Sequence, residues 1–250
     1  LNAKKIIACV KNGELDEQTL DNAVDNIIEL IEKSKPALRE KHSYNKEEHH
    51  LIARKIAEGS MVLLKNEDRI LPLKDGQKVA IIGEMAKSPR FQGAGTSVIN
   101  PTFIDNAYDE LVKLGVDVTY SQGYDKSKDE IDNEMVQQAI KVAKSADIAI
   151  VFAGLTEGFE AEGYDRKNIE MPSSHNYLIS EIAKVNPNTI VVLAGGSVIH
   201  MPWINEVKAL LNSGLGGQAT GSAVANILTG KANPSGKTTE TYPLLFSDNP

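Results

Sequence analysis

The stretch Ala146-Asp-Ile-Ala-Ile-Val-Phe-Ala-Gly154 has the composition of a strand that is buried on both faces. An acidic run, Glu157-Gly-Phe-Glu-Ala-Glu-Gly-Tyr-Asp-Arg166, follows it almost at once. Strands of this kind are typical of parallel sheets that are covered by helices on both sides. In such sheets, ligands bind beside the loops at the carboxyl ends of the strands. The acidic run holds four carboxylates: Glu157, Glu160, Glu162 and Asp165. In this place they could do acid/base chemistry, bind a metal or bind the hydroxyls of a sugar, or they could form only a solvated loop.

Outward from this strand, short runs rich in valine and isoleucine alternate with amphipathic helical patterns. Strands are predicted at 79–82, 116–120, 148–152, 189–193 and 209–211. Helices are predicted at 101–114, 133–145, 173–185 and 217–229. This alternation predicts an α/β fold, a three-layer sandwich with a mostly parallel sheet, over residues 78–250.

The first 33 residues show two helical patterns and no strand. One covers residues 1–11, and the second starts near Asp16 and places apolar side chains on one face as far as Ile31. An apolar face needs a partner to pack against, and no element before these helices supplies one. Residues 1–33 are therefore predicted to be the terminal helices of an upstream domain.

Residues 34–77 are predicted to join the two parts. Lys33–Tyr44 contains a proline and several charges, which indicates a linker, and a bridging helix is predicted at about 46–64. The segment Leu71-Pro-Leu73 is predicted to be extended at an edge, because proline lacks the amide that a central strand needs.

Composition excludes some classes of partner. The 250 residues include 34 acidic and 27 basic side chains, a net charge of −7, which argues against nucleic acid or an anionic membrane as a partner. Cys9 is the only cysteine, so no internal disulfide is expected. There is no apolar run of roughly 18 residues and no signal-peptide pattern, so we expect a cytoplasmic protein without a membrane span.

The loop after the first predicted strand, Gly83–Ser97, contains two glycines of a dinucleotide fingerprint, Gly93 and Gly95. The loop is too long for that fingerprint and its third glycine position holds Val98, so no nucleotide cofactor is predicted. A ligand rich in hydroxyls or negative charge suits the loop better, although a plain surface loop is the alternative. The candidate substrate-binding residues are Arg90, Gln92, Thr96 and Ser97.

Other catalytic patterns are not supported. No Gly-x-Ser-x-Gly segment occurs, and Ser197, in a glycine turn after a predicted strand, has no obvious histidine partner. His49 and His50 are adjacent, so they cannot form the i, i+4 pair that a helical zinc site uses. We therefore predict neither a metal nor a cofactor, and structural roles for all five histidines, which include His42, His175 and His200.

Seven segments occur in one order along nearly the whole chain: Ala57–Asn66, Leu71–Leu73, Val79–Gly83, Arg90–Ser97, Glu160–Arg166, Gly216–Gln218 and Asn233–Gly236. Together they resemble the second domain of glycoside hydrolase family 3, the β-glucosidase type. The resemblance implies a (β/α) barrel followed by an α/β sandwich, with the active site between them. Residues 1–33 would then be helices left over from the end of that barrel.

The resemblance also implies a mechanism for hydrolysing terminal β-linked sugars with retention. The barrel would supply an aspartate nucleophile from a Ser-Asp-Trp segment, and the sandwich a glutamate as general acid/base. On this chain that glutamate is Glu162. Glu160 is the runner-up, because a short acidic run can be aligned two residues out of place.

The chain differs from the family pattern in one respect that bears on its activity in isolation. It has no Ser-Asp-Trp segment, and its single tryptophan is Trp203. We therefore expect the nucleophile to lie outside the chain, and the chain alone to be inactive. The expected partners are a β-glucoside or related oligosaccharide and the missing barrel, and the sequence is also compatible with a homo-oligomer. The alternative function is a non-catalytic carbohydrate-binding or interaction module with the same fold.

Overall fold

The computed structural model describes residues 2–39, 41 and 43–248. Leu1, where the first predicted helix begins, and Glu40 and His42 of the predicted linker lie outside the described residues, as do 249–250. Contacts within the chain define two compact units, Leu1–Asn45 and Lys46–Pro250.

The first unit holds helix α1, Ala3–Lys11, and helix α2, Glu17–Arg39. The prediction of a linker from Lys33 is wrong, because α2 passes Pro36 and ends at Arg39. Proline removes one amide from the helix, and the alanine, leucine and arginine that follow are strong helix formers that continue it. Neither helix has a buried residue among those described, so the predicted apolar face of α2 is exposed. Assignment of 1–33 to a barrel stays a prediction.

The second unit alternates strands and helices. Its strands are β1 Val62–Asn66, β2 Lys78–Ile82, β3 Asp117–Ser121, β4 Ile148–Gly154, β5 Thr189–Ala194 and β6 Ala209–Asn212. Its helices are α3 Lys46–Ser60, α4 Ala107–Lys113, α5 Asn133–Lys144, α6 Ser173–Val185 and α7 Thr220–Leu228. Short 3-10 turns occur at Glu67–Arg69, Glu84–Ala86 and Phe246–Asp248.

In the described part of the chain these strands form one six-stranded sheet, in the order β1-β6-β5-β4-β2-β3. All neighbouring pairs are parallel except β1 with β6, which is antiparallel. Helices α5 and α6 pack together in one layer, and α3, α4 and α7 pack in the other. Every residue of β4 and β5 is buried, as expected for central strands covered on both faces. The predicted mostly parallel α/β sandwich is confirmed.

Helix α3 is shorter than predicted. It ends at Ser60 instead of Leu64, and the chain then forms strand β1, which the sequence analysis did not predict. Val62 pairs with Asn212 and Leu63 with Leu211, so the partner strand lies about 150 residues away along the chain. The segment Leu71–Leu73 is not a strand, and β1 is the sheet's antiparallel edge.

Two helices begin later than predicted. Helix α4 starts at Ala107 and not at 101, because the side chain of Asn106 caps it by accepting a 2.8 Å hydrogen bond from the amide of Asp109. Helix α7 starts at Thr220 and not at 217. Across the described ranges, no helix combines the length and the apolar character that crossing a membrane requires.

Candidate active-site loop

The acidic loop leaves the carboxyl end of β4, as the sequence predicted, and residues 155–172 connect β4 to α6. Because β2 and β5 flank β4 in the parallel sheet, the loops that follow these two strands reach the same edge. The loop after β2 carries Arg90 and Thr96, and the turn after β5 carries Ser197. Three loops therefore meet around the acidic run.

Glu162 is exposed and is held by the loop after β2. Its carboxylate accepts hydrogen bonds from the Thr96 hydroxyl and, at 2.6 Å, from the Thr96 amide. Its own amide donates to the Ala94 carbonyl at 3.3 Å. Gly95 permits this close approach: its φ is +100°, and a Cβ there would lie 2.7 Å from Cβ of Glu162.

The hydrogen bonds to Glu162 favour its ionised form. The Thr96 hydroxyl contributes most and the Thr96 amide next, so the pKa of the Glu162 carboxyl lies below its ordinary value. In this arrangement Glu162 is an accessible carboxylate that can accept a proton from, or later return one to, a bound molecule.

Glu160, in contrast to the exposed Glu162, is largely buried and bonded to the protein. Its side chain is only 18% exposed and accepts from Arg90 Nη1 at 2.6 Å, from Ser197 Oγ at 2.7 Å and from the Gly196 amide at 3.0 Å. Burial acts to raise the pKa of Glu160, but the hydrogen bonds from Ser197 and Gly196 and the charge of Arg90 outweigh it and lower the pKa. The carboxylate is thus engaged with the protein on both oxygens.

The four residues predicted to bind substrate differ in their hydrogen-bond partners and in their exposure. Arg90 directs its hydrogen bonds to the Leu155 and Glu160 carbonyls and to the Glu160 carboxylate. Thr96 contacts Glu162, as described above. Both ends of the Gln92 amide bond the backbone of Ile99, at 3.2 and 3.1 Å. Ser97 is exposed. Contact of these residues with a sugar stays a prediction.

Two residues that sequence reasoning did not single out also belong to the site. Ser197 donates to Glu160 and accepts from Arg166 Nη1 at 2.9 Å. Arg166 also donates to the carbonyls of Val198, at 2.5 Å, and Glu170, at 2.8 Å. From the sequence, Ser197 could be placed only in a turn after a predicted strand, because the order of the strands in the sheet was not predicted.

An open cavity of about 540 Å³ lies beside the loop. It is lined by the loops after β2, β3 and β4, and Phe91 and Phe159 contribute aromatic rings. Strand β2 pairs with β3 on one side and β4 on the other, so the cavity lies at the switch point of the sheet, where open α/β folds bind ligands. Its volume is in the range of small-molecule sites. Within the described ranges, no group of three or more His, Cys, Asp or Glu side chains is arranged to hold a metal ion.

The chain is similar in sequence and in fold to known glycosidases. The thermostable beta-glucosidase B of Acetivibrio thermocellus is 47% identical over 250 residues, which are 99% of this chain and 33% of that protein. An exo-alpha-(1->6)-L-arabinopyranosidase of Bifidobacterium breve is 35% identical over 98% of this chain and 34% of that protein. The crystal structure of a GH3 beta-glucosidase from Bifidobacterium adolescentis superposes with a TM-score of 0.94 at 36% identity, covering 99% of this chain and 37% of that one.

The chain spans about a third of the length of these curated relatives. Residues 61–250 match the family described as Glycosyl hydrolase family 3 C-terminal domain. The match includes all six strands of the described sheet and the acidic loop. The chain therefore belongs to glycoside hydrolase family 3.

Proposed function

We propose that this chain is the acid/base-bearing part of a retaining exo-β-glycosidase of the β-glucosidase type. One observation carries the choice of residue: Glu162 is exposed on the loop at the carboxyl edge of the sheet, whereas Glu160 is engaged on both oxygens by Arg90, Ser197 and Gly196. A group that exchanges protons with substrate has to be accessible. Glu162 is therefore the general acid/base, and Glu160 has another role.

The reaction needs a second carboxyl group. Retaining glycosidases place two carboxyl groups about 5–5.5 Å apart, one as nucleophile and one as acid/base. The chain has no Ser-Asp-Trp segment of the kind that the family resemblance implies for the nucleophile. The nucleophile therefore lies on a barrel outside these 250 residues, and the chain alone does not turn over glycosides.

The environment of Glu162 suits one half of its cycle. After the glycosyl-enzyme forms, the acid/base must be ionised to take a proton from water, and the bonds from Thr96 favour that form. In the first half it must be protonated. A negatively charged nucleophile brought near by the barrel, and the exclusion of water by bound sugar, both raise the pKa of a carboxyl group.

A β-glucoside is the proposed substrate, because the 47% identical relative is a beta-glucosidase and the identity covers nearly the whole chain. An α-L-arabinopyranoside is the second candidate, from the 35% identical relatives. Comparing kcat/KM of the full-length protein on the two aryl glycosides separates these candidates. A non-catalytic carbohydrate-binding module remains the alternative from another class.

Glu162→Gln in the full-length protein tests the proposed role. Alkyl glucosides, whose leaving group must be protonated, should lose about 10²–10⁴-fold in kcat/KM, which is the usual contribution of general acid catalysis. The 2,4-dinitrophenyl glucoside should lose far less in its first step, because that leaving group departs without a proton. Steady-state and burst kinetics on the two substrates measure the difference.

Glu130→Gln is the matched control. It makes the same change at an exposed carboxylate on the loop after β3, at the same edge of the sheet, and should leave both rates unchanged. Equal losses on all substrates in Glu162→Gln would indicate a binding role and contradict the proposal. Binding of sugar without any turnover by the full-length protein would favour the non-catalytic module.

A further inference from the structure

Arg90 ties the start of the acidic loop to the loop after β2. Its side chain is only 7% exposed. Its Nη1 donates to the Leu155 carbonyl at 3.1 Å and to the Glu160 carboxylate at 2.6 Å, and its Nη2 donates to the Glu160 carbonyl at 2.9 Å. Charge-assisted hydrogen bonds of this kind are shorter and stronger than neutral ones. The Arg90 guanidinium therefore holds both the side chain and the backbone carbonyl of Glu160.

Arg166 ties the far end of the same segment to the turn after β5. It donates to the Ser197 hydroxyl, the Val198 carbonyl and the Glu170 carbonyl. The Ser197 hydroxyl in turn donates to Glu160 at 2.7 Å, so it joins the two arginines through one carboxylate. Each end of the segment 160–166 is thus held to an element outside it.

Glycine permits the contact between Glu160 and the turn after β5. A Cβ on Gly196 would lie 3.1 Å from the Glu160 carboxylate, tighter than most real contacts, while the Gly196 amide donates to the same carboxylate at 3.0 Å. The backbone can approach because this position has no side chain. The carboxylate of Glu160 therefore packs directly against the backbone of the turn after β5.

We propose that Arg90, Glu160, Ser197 and Arg166 form a positioning frame that holds Glu162 where it can reach the substrate, and that Glu160 acts only through Glu162. The inference rests on the proposed role of Glu162 and goes further by giving Glu160 a function other than proton transfer. A misplacement of about 1 Å in a reacting group can reduce a rate by about 100-fold. A residue of the frame can therefore matter to the rate without contacting sugar.

A double-mutant cycle in the full-length enzyme tests the frame. Glu160→Gln keeps the shape of the side chain but removes its charge and one acceptor. We expect it to lose about 10- to 100-fold in kcat/KM on alkyl glucosides and much less on the 2,4-dinitrophenyl glucoside. Because Glu160 acts through Glu162, the double variant Glu160→Gln/Glu162→Gln should be no slower than Glu162→Gln alone on the alkyl glucosides.

Ser197→Ala is the second variant, since it removes one hydrogen bond to Glu160 and keeps every charge. Its loss of kcat/KM should be smaller and should depend on the leaving group in the same way. If Glu160→Gln does not fold, Ser197→Ala tests the frame in its place. Circular dichroism and the melting temperature of each variant verify folding. Glu130→Gln again controls for loss of a negative charge at this edge.

The outcomes separate the two proposals. Suppose that the loss of kcat/KM in Glu162→Gln depends on the leaving group. If the loss in Glu160→Gln is then equal on all substrates or absent, or adds to that of Glu162→Gln in the double variant, the frame is wrong and the role of Glu162 stands. If Glu160→Gln shows the larger leaving-group dependence and Glu162→Gln shows none, Glu160 is the acid/base and both proposals are overturned.

Discussion

At the scale of single residues, the proposed acid/base role makes two demands on the carboxyl group of Glu162. As an acid it must hold a proton until the glycosidic oxygen leaves, and as a base it must have lost that proton before water attacks. Thr96 acts on this balance, because its hydroxyl and its amide both donate to the ionised carboxylate. Thr96 is therefore expected to set the pH at which the acid form of Glu162 is lost.

Thr96→Val tests this expectation, because valine has the shape of threonine without the hydroxyl. Loss of that hydrogen bond should let the pKa of Glu162 rise toward its ordinary value. The protonated acid would then persist to higher pH, so the basic limb of the kcat/KM profile on an alkyl glucoside should move upward in the full-length enzyme.

Thr96→Ser is the control for that experiment, since it keeps the hydroxyl and should leave the profile in place. A basic limb that does not move in Thr96→Val, or that moves to lower pH, would show that Thr96 does not control the protonation of Glu162. The substrate-binding role predicted for Thr96 would instead appear as a change in KM at every pH.

From the sequence, both glutamates could be placed on the loop, and the family resemblance favoured Glu162 over Glu160 as the acid/base, but the different surroundings of the two could not be predicted. The choice depends on partners that are distant in the chain: Thr96 lies 66 residues from Glu162, and Ser197 lies 37 residues from Glu160. A serine without a histidine partner looks unimportant in a search for triads. Its function becomes visible only when β4 and β5 are seen to be neighbours.

At the scale of elements, the parallel strands were predicted well because continuous apolar runs in the sequence indicate buried strands. All residues of β4 and β5 are buried, and their bounds differ from the prediction by one or two residues. Strand β1 was missed because its stability comes from pairing with β6, and the local sequence after α3 still fits a helix. Propensity is a weak guide where a distant partner decides.

The end of β2 offers a prediction about the sheet. Gly83 has a φ of +110°, and a Cβ there would lie 2.1 Å from the Phe152 carbonyl on β4. Gly83→Ala therefore adds a clash to an unfavourable backbone conformation, and should lower the free energy of unfolding by about 3 kcal/mol or more. Chemical denaturation measures this loss.

Gly76→Ala is the matched comparison for Gly83→Ala. Gly76 has a φ of +79°, but a Cβ there would meet no atom within 4 Å. Only the strain of a positive φ in alanine applies here, so the free energy of unfolding should fall by about 1–2 kcal/mol. Similar losses in the two variants would mean that the approach of β2 to β4 is not as close as the structure has it.

At the scale of the whole molecule, the chain is about a third as long as its curated relatives. The proposed reaction needs a nucleophile that is expected outside this part, and helix α2 of the first unit has an apolar face that is exposed among the described residues. Sugar specificity is expected to depend strongly on the part outside these residues.

The most direct test of the central claim is chemical rescue in the full-length enzyme. In Glu162→Ala, a 2,4-dinitrophenyl glucoside should still form the glycosyl-enzyme, because its leaving group needs no proton, but water then attacks slowly without a base. Azide needs no base and fits the space of the lost side chain, so it should displace the enzyme carboxylate and accelerate turnover. We expect a β-glucosyl azide from Glu162→Ala and no acceleration of Glu160→Ala. Rescue of Glu160→Ala, with Glu162→Ala unaffected by azide, would contradict it.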